Sequence, residues 1–529
     1  MQKKFRVCIP TAGIGNRVKK ISNNLNKSLI SINNKASISH IIDSFPDNCE
    51  FVIPLGYKGK FVKEYLKLAH PLTKFYFVVV KNYKGKGSGL GYTLLRSKKY
   101  LQCPFIFISC DTLINSKINF RPDHNWIGYA SNVLSNQYRK VELDKNYYVK
   151  KFLSKNSTKK KNCKNYIGLA GINDFKNFWR NMESNVKAST LEGEVYGIKC
   201  LKNFQIKSHR FDWYDVGNLK ALRNTRKSFK NKNENYNILE KENESIWFND
   251  DKVIKYFSDK DIIKKRLKRT LYLKGFIPKI LNKKENMYSY SKFDGEIFSS
   301  IKNEKIFIKL LQHLQKFHKK KISKKNQDIF LKRCLYFYKK KTYQRLLIFY
   351  KKFNIKDNKF SINNSEKILL KELLKKVNWR NISNGLNGRF HGDLHFENIL
   401  YSKKQKKFCL LDWRQDFGGS IKSGDIYYDL AKLLHGLLVS HEAVANNKYK
   451  IKEYNKRILI NINNKKIYKK YLKIFISWLK KNNYDVKKVR ILTGLIFLNI
   501  SALHHFPYSL FLYYKGKNIL IDELIKKKN

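Results

Sequence analysis

Residues 391–412 constrain this chain more tightly than any other stretch. His391-Gly392-Asp393-Leu394-His395-Phe396-Glu397-Asn398-Ile399-Leu400 is followed by Phe408-Cys409-Leu410-Leu411-Asp412-Trp413. The pattern predicts a polar loop entering an apolar strand, a turn rich in Lys and Gln, and a second apolar strand ending at Asp412. Two such strands deliver three oxygen-bearing side chains to one end of a hairpin. Asp393, at the head of the loop, can accept a proton from an attacking hydroxyl. Asn398 and Asp412 offer the hard oxygen ligands that Mg2+ prefers, with phosphates and water as its other partners. The set suits phosphoryl transfer to an alcohol. Asp and Asn are also common in plain solvated turns, but the order Asp, Asn, strand, Asp is more demanding than a turn requires.

The stretch resembles the aminoglycoside phosphotransferase and choline kinase family. That resemblance implies a bilobal protein-kinase-like α+β domain, ATP as donor, Asp393 as catalytic base, and Asn398 and Asp412 as Mg2+ ligands. Gly424-Asp425-Ile426-Tyr427-Tyr428-Asp429-Leu430-Ala431 is similar to the segment that braces the family's lower lobe, which makes Asp425 and Asp429 structural. Asp416-Phe417-Gly418 imitates the protein-kinase metal motif but lies beyond the strand end, so Asp412 is the better ligand. Upstream, residues 245–248 and 252–257 read as a hairpin turning at Asn249-Asp250-Asp251. Lys255 within it matches the family's lysine that pairs the α- and β-phosphates of ATP. The following helix, expected over 261–274, departs from the family. It lacks the Glu that orients this lysine, and Lys264 or Arg266 stands in the matching place. The acceptor pocket is expected within 319–380 and 413–445.

One catalytic domain would leave nearly half of the 529 residues unexplained. Lys and Arg total 110 against 41 Asp and Glu, a formal charge of +69, which ordinarily points to nucleic acid or an anionic membrane. Here lysine is spread along the whole chain with abundant Asn and Ile, and no nucleic-acid module accompanies it. The charge therefore reads as solvated surface, and no nucleic acid partner is expected. The eight cysteines are scattered without a CxxC pair, which argues for reduced thiols and against disulfides or zinc. The start of the chain lacks a signal-peptide apolar region, and the apolar stretch 491–503 is too short to span a bilayer, so a cytoplasmic location without a transmembrane segment is expected.

The first half has its own pattern. Val7-Cys8-Ile9-Pro10 reads as a strand, followed by the loop Thr11-Ala12-Gly13-Ile14-Gly15-Asn16-Arg17. Gly13 and Gly15 let backbone N–H groups approach phosphate oxygens, Arg17 adds a fork of donors, and Lys27 follows ten residues later. Strands at 50–54 and 75–80 alternate with helices at 38–45 and 61–69. A second glycine loop, Gly85-Lys86-Gly87-Ser88-Gly89-Leu90-Gly91, leads into a helix at 92–100, and a buried strand at 105–111 ends in Asp111. This alternation predicts a mostly parallel sheet with ligand loops at the carboxyl ends of its strands.

With Trp213-Tyr214-Asp215-Val216-Gly217-Asn218, residues 5–228 resemble the nucleotidyltransferases that make nucleotide-activated sugars and CDP-alcohols. The resemblance implies a Rossmann-like (GT-A type) α/β domain. Asp111 and Asp215 would bind Mg2+, Arg17 and Lys27 would contact the triphosphate, and the loop containing Gly87 and Gly89 would approach the base. Lys155 would contact the acceptor phosphate. Asn26 replaces the usual Pro before Lys27, and Ser154 replaces a usual Glu before Lys155.

Composition shifts after Arg226, where a polar, aperiodic stretch marks a linker. The expected organisation is a nucleotidyltransferase domain at 1–228, a linker at 229–243 and a kinase-like domain at 244–529. The expected function is bifunctional. ATP phosphorylates a small alcohol, amino alcohol or sugar, and a second NTP, CTP in first place and UTP in second, then activates the product for capsule, lipopolysaccharide or lipid decoration. Two alternatives remain open: a sugar anomeric kinase joined to a nucleotide-sugar pyrophosphorylase, and a catalytically inactive basic protein that binds nucleotides or RNA.

Overall fold

The computed structural model describes residues 4–18, 24–130, 138–153, 163–201, 205–229, 242–318 and 327–525. They form two compact units. The first comprises Met1–Lys260 with Ile280–Ser291, and the second comprises Asp261–Lys279 with Lys292–Asn529.

The first unit is built on a mixed α/β sheet whose central strands are parallel. Arg6–Cys8 runs parallel to both Glu50–Leu55 and Phe105–Ile108, and Phe75–Val79 is parallel to Glu50–Leu55. Cys163–Ile172 joins the other edge antiparallel to Phe105–Ile108. Helices Ser37–Asp43, Gly59–Ala69 and Leu90–Ser97 connect the parallel strands, as expected where apolar runs alternate with helical spacing. Helix Gly59–Ala69 turns Val62, Tyr65, Leu66 and Ala69 inward. Phe51, Ile53 and Ile106 meet that face in one core.

The same core takes in residues well downstream. The four-stranded antiparallel sheet of Glu244–Asn249, Lys252–Phe257, Met287–Ser291 and Ile280–Lys283 buries Trp247, Ile254, Tyr256 and Met287 against it. Polar contacts fix the fit. The Trp247 indole donates to the Leu29 carbonyl at 3.0 Å, the Asn249 amide to Ala69 at 2.8 Å, and the Tyr256 hydroxyl to Asn24 at 2.7 Å.

The second unit is mainly helical. Glu304–His318, Lys341–Phe353, Ile426–Leu438, Lys466–Lys481, Val486–Ser501 and Tyr508–Leu524 are its longer late helices, preceded by Lys260–Leu273, which belongs to it from Asp261 onward. Ile399–Ser402 and Lys407–Leu410 form the hairpin read from the motif, extended by Glu296–Ile297. Among the described residues, no helix is long and apolar enough to cross a membrane.

Candidate active sites

In the first unit, strand pairing brings two distant carboxylates together. Trp213–Asp215 pairs antiparallel with Thr112–Ile114 so that Asp215 lies opposite Thr112, and the Val216 amide donates to the Asp111 carbonyl at 3.1 Å. Gly217 stands between the two side chains. A Cβ there would fall 2.9 Å from Asp215 Oδ1 and 3.1 Å from Asp111 Oδ2, so only hydrogen fits. Asp215 does not cap the helix Leu219–Ser228; Asn218 does, accepting from the Ala221 amide. Asp215 instead accepts from the Gly217 amide at 2.7 Å and the Tyr138 hydroxyl at 2.7 Å.

Cations surround this pair unevenly. Lys27 Nζ lies 3.1 Å from Asp111 Oδ2. Burial pushes the Asp111 carboxyl up, but Lys27, with a smaller effect from Arg17, holds it below its ordinary value. Asp215 is raised, by burial first and also by the negative charge of Asp111. Arg17 is exposed on the turn Asn16–Val18, and both carboxylates feel its charge.

The glycine loops serve different ends. Gly13 is exposed, and a Cβ there would meet nothing within 4 Å, which leaves its backbone approachable. Gly15 lies against Lys27, whose Cβ would be 3.0 Å from an added Cβ. At Gly89 an added Cβ would collide with the Thr190 carbonyl at 2.2 Å, so this glycine lets Leu90–Ser97 approach Val186–Glu192. Gly87, with φ +79°, borders Asn82. Lys155, the expected acceptor-phosphate contact, lies outside the described residues. Lys255 is buried in the first unit, opposite Ile246 and Tyr288 in the register of its strand.

In the second unit the motif loop hangs from a buried carboxylate. The amides of His391 and Gly392 donate to Asp429 at 2.6 and 2.7 Å, and His318 Nε2 lies 3.1 Å from it. Asp425 accepts from the amides of Leu386 and Tyr427 and from the Tyr338 hydroxyl at 2.7 Å. Gly392, at φ +90°, has no room for a side chain, because an added Cβ would sit 2.6 Å from Arg414 Cβ. Asp393 projects from this frame, partly exposed. Its Oδ1 lies 2.8 Å from Lys432 Nζ and its Oδ2 3.6 Å from His395 Nε2. Against the upward push of burial, Lys432 and His395 hold the Asp393 carboxyl well below its ordinary range. Burial alone would lower the His395 imidazole, but Asp393 and Glu397 carry it up to about 9.

Asn398 donates to the Asp393 carbonyl at 2.9 Å, tying the second motif residue to the first. Asp412 adopts a left-handed φ of +58°, a conformation Asp tolerates better than most side chains. It accepts from Arg266 Nη1, while the Trp413 indole donates to the Arg266 carbonyl at 3.1 Å. One turn on, Arg269 is almost wholly buried and donates to the carbonyls of Phe390, His391 and Arg414. Burial lowers its guanidinium to about 9. The helix whose Glu is missing therefore supplies two arginines to the motif loops.

Sequence reading did not single out Lys432, Arg269 or Tyr138. Lys432 carries a signal, a lone cation in Leu430-Ala431-Lys432-Leu433-Leu434. Tyr138 carries none, since its contact with Asp215, 77 residues away, is made only in the fold.

Mg2+ fits the first pair on its donors. Two carboxylates face one gap, and the charge of each raises the cost of ionising the other, which a divalent cation relieves. Among the described residues no group of three or more His, Cys, Asp and Glu side chains converges as a cage. A site completed by substrate phosphates needs none. Asn398 and Asp412 are also hard oxygen donors, with Arg266 now supplying the positive charge on Asp412.

No family model matches the chain. The bifunctional protein GlmU of Methanococcus vannielii is 26% identical over 217 residues, which is 39% of this chain and 50% of that protein. The chain thus spans about half the length of this curated relative. Among solved structures, the CTP:phosphocholine cytidylyltransferase of Streptococcus pneumoniae aligns with 43% of this chain and 100% of its own, at 15% identity and a TM-score of 0.35. The inositol-1-phosphate CTP transferase of T. maritima aligns with 44% of this chain and 98% of its own, at 13% identity and a TM-score of 0.35. The N-terminal part of the chain resembles sugar-phosphate nucleotidyltransferases.

Proposed function

We propose that the chain joins a nucleotidyltransferase, within residues 1–228, to an ATP-dependent phosphotransferase, within 244–529, with 229–243 as the connection. The observation that carries the first activity is the meeting of Asp111 and Asp215 across Gly217 with Lys27 on Asp111. A phosphate monoester oxygen attacks the α-phosphorus of a nucleoside triphosphate, and pyrophosphate leaves. The chemistry needs positive charge on the attacking and leaving oxygens rather than an acid–base pair. Lys27 and Arg17 provide it from this chain, Gly13 leaves backbone open to a phosphate, and Asp111 and Asp215 hold Mg2+. When bound, the metal neutralises the triphosphate and orients it. CTP is the favoured nucleotide, UTP the second. Lys155 is proposed to contact the acceptor phosphate, and the loop of Gly87 and Gly89 to border the base.

The second activity would make the monoester that the first consumes. Asp393 orients the acceptor hydroxyl and takes its proton, Lys255 is assigned to the ATP phosphates, and Asn398 and Asp412 to Mg2+. A tether raises the local concentration of the shared intermediate. The acceptor class is a small alcohol, amino alcohol or sugar.

The test is product analysis by mass after incubation with ATP, each NTP and a panel of acceptors. An NDP-linked product formed only with both ATP and a second NTP supports the reading. No Mg2+-dependent turnover, with RNA affinity falling steeply with salt, would favour the binding-protein alternative.

A further inference from the structure

Beside the motif loop of the second unit lies a cavity of about 800 Å³ whose walls are basic. Tyr336, Phe337, Lys341 and Arg345 line one side, and Arg414 and Asp416 the other. Lys265 also reaches it, but pairs with Asp416 at 3.0 Å. Among the described residues, no carboxylate lies within ion-pair distance of Lys341, Arg345 or Arg414. Arg414 packs its Cβ against Gly392, next to Asp393, and among the described residues its buried Nε has no hydrogen-bond partner.

These cations are not solvated surface lysines. Lys341 Nζ lies 4.2 Å from the Phe337 ring centre and the Arg414 guanidinium 5.0 Å from the same centre, so one aromatic ring serves both. Burial, then the charges of Arg414 and Arg345, lower the Lys341 ammonium to about 6. Partly desolvated like charges without a counter-ion are costly, so Lys341 sheds its proton first, and an anion seated beside it, Arg345 and Arg414 would favour the protonated form again.

We propose that this cavity seats the phosphoryl acceptor and that the acceptor is an anionic alcohol, a hydroxyl compound bearing a carboxylate or phosphate held by Lys341, Arg345 and Arg414. The inference rests on the phosphotransferase reading of this unit. The anchored anion would present its hydroxyl toward Asp393. The acceptor oxygen bonds to the γ-phosphorus of ATP as the bond to the bridging oxygen of ADP breaks, and the hydroxyl proton passes to Asp393. A quaternary ammonium acceptor is disfavoured by the same charges.

Matched pairs test it on the full chain: glycerate and glycerol 3-phosphate against glycerol, glucuronate and glucose 6-phosphate against glucose, with choline and ethanolamine alongside. Calorimetry should show the best anionic compound binding at least about tenfold more tightly than its neutral partner, as charge-assisted contacts imply. Arg345→Gln and Lys341→Gln should each remove most of that preference. Equal or tighter binding of the neutral or cationic compounds, or a preference unchanged in both variants, overturns the proposal. Turnover separates the two levels. Anion binding lost in the variants but without ATP-dependent phosphorylation of any panel member removes the phosphotransferase reading and with it the acceptor assignment. Phosphorylation of choline or glycerol alone sustains the phosphotransferase and overturns the anionic acceptor.

Discussion

Lys432 Nζ stands 2.8 Å from Asp393 Oδ1. A cation from the middle of an apolar helix is thus held against the carboxylate that heads the motif loop. The contact stabilises the ionised carboxylate, so the proposed base is ready to accept a proton across the neutral range. Lys432→Met removes the largest downward influence on the Asp393 carboxyl. The acid limb of the phosphorylation pH–rate profile should then move to higher pH. A profile identical to wild type would mean that Asp393 ionisation does not govern the rate.

His395 gives a pH dependence of opposite sign. Its folded value is raised from 6.5 to about 9, so its stabilising contribution is complete below pH 6.5 and is lost as pH rises through about 9. The Tm difference between wild type and His395→Gln should be largest near pH 6.5 and shrink above pH 9. A difference constant with pH would contradict the charge pairing with Asp393 and Glu397.

Asp111→Asn should cut pyrophosphate release by about 10²-fold or more, a scale typical of losing a group that stabilises transition-state charge. Phosphorylation of the free acceptor should survive it. Asp393→Ala should do the reverse when the monoester is supplied directly. Parallel assays of ADP and pyrophosphate on each variant check both halves, and loss of both activities in Asp111→Asn would deny their independence.

Arg266 now holds the Asp412 carboxylate. If Asp412 is a metal ligand, the guanidinium competes with the ion. Arg266→Gln should therefore lower the Mg2+ concentration giving half-maximal phosphorylation, whatever happens to the maximal rate. A titration showing an unchanged midpoint would remove Asp412 from the ligand set.

Asp429 is fully buried and accepts from two consecutive backbone amides. Asp429→Ala leaves both donors unpaired, a loss of roughly 3 kcal/mol, readable as a lower urea midpoint. Phosphorylation should fall further than stability alone explains, because the Asp393 loop hangs from these bonds.

The motif loop and its hairpin were legible because they are written in short spacings. Asp393 and Asn398 precede the first strand of one hairpin and Asp412 follows its second, and a five-residue step followed by a strand leaves few other arrangements. The strands and helices of the first unit were legible from apolar periodicity, with ends differing by a few residues where turns and caps decide. What periodicity does not encode is which remote segment completes a site. Tyr138 reaches Asp215 through a side-chain hydrogen bond from a segment outside the paired strands, and Lys432 reaches Asp393 from the next helix. The second glycine loop shows another limit. The resemblance implies that the loop of Gly87 and Gly89 approaches the base, yet the lack of a side chain at Gly89 is also demanded by the Thr190 carbonyl.

The packing of Trp247, Asn249 and Tyr256 onto Leu29, Ala69 and Asn24 bears on how such a gene can evolve. Judged by composition, 229–243 is a seam where recombination would exchange the sequence on one side for another. A crossover there strands Trp247, Ile254, Tyr256 and Met287 on one offspring and uncovers the Tyr65 and Ile32 side of the same core on the other. Both inherit an apolar wound. An incoming segment would therefore have to bring its own indole, amide and phenol at matching positions to cover the Leu29, Ala69 and Asn24 side of that core.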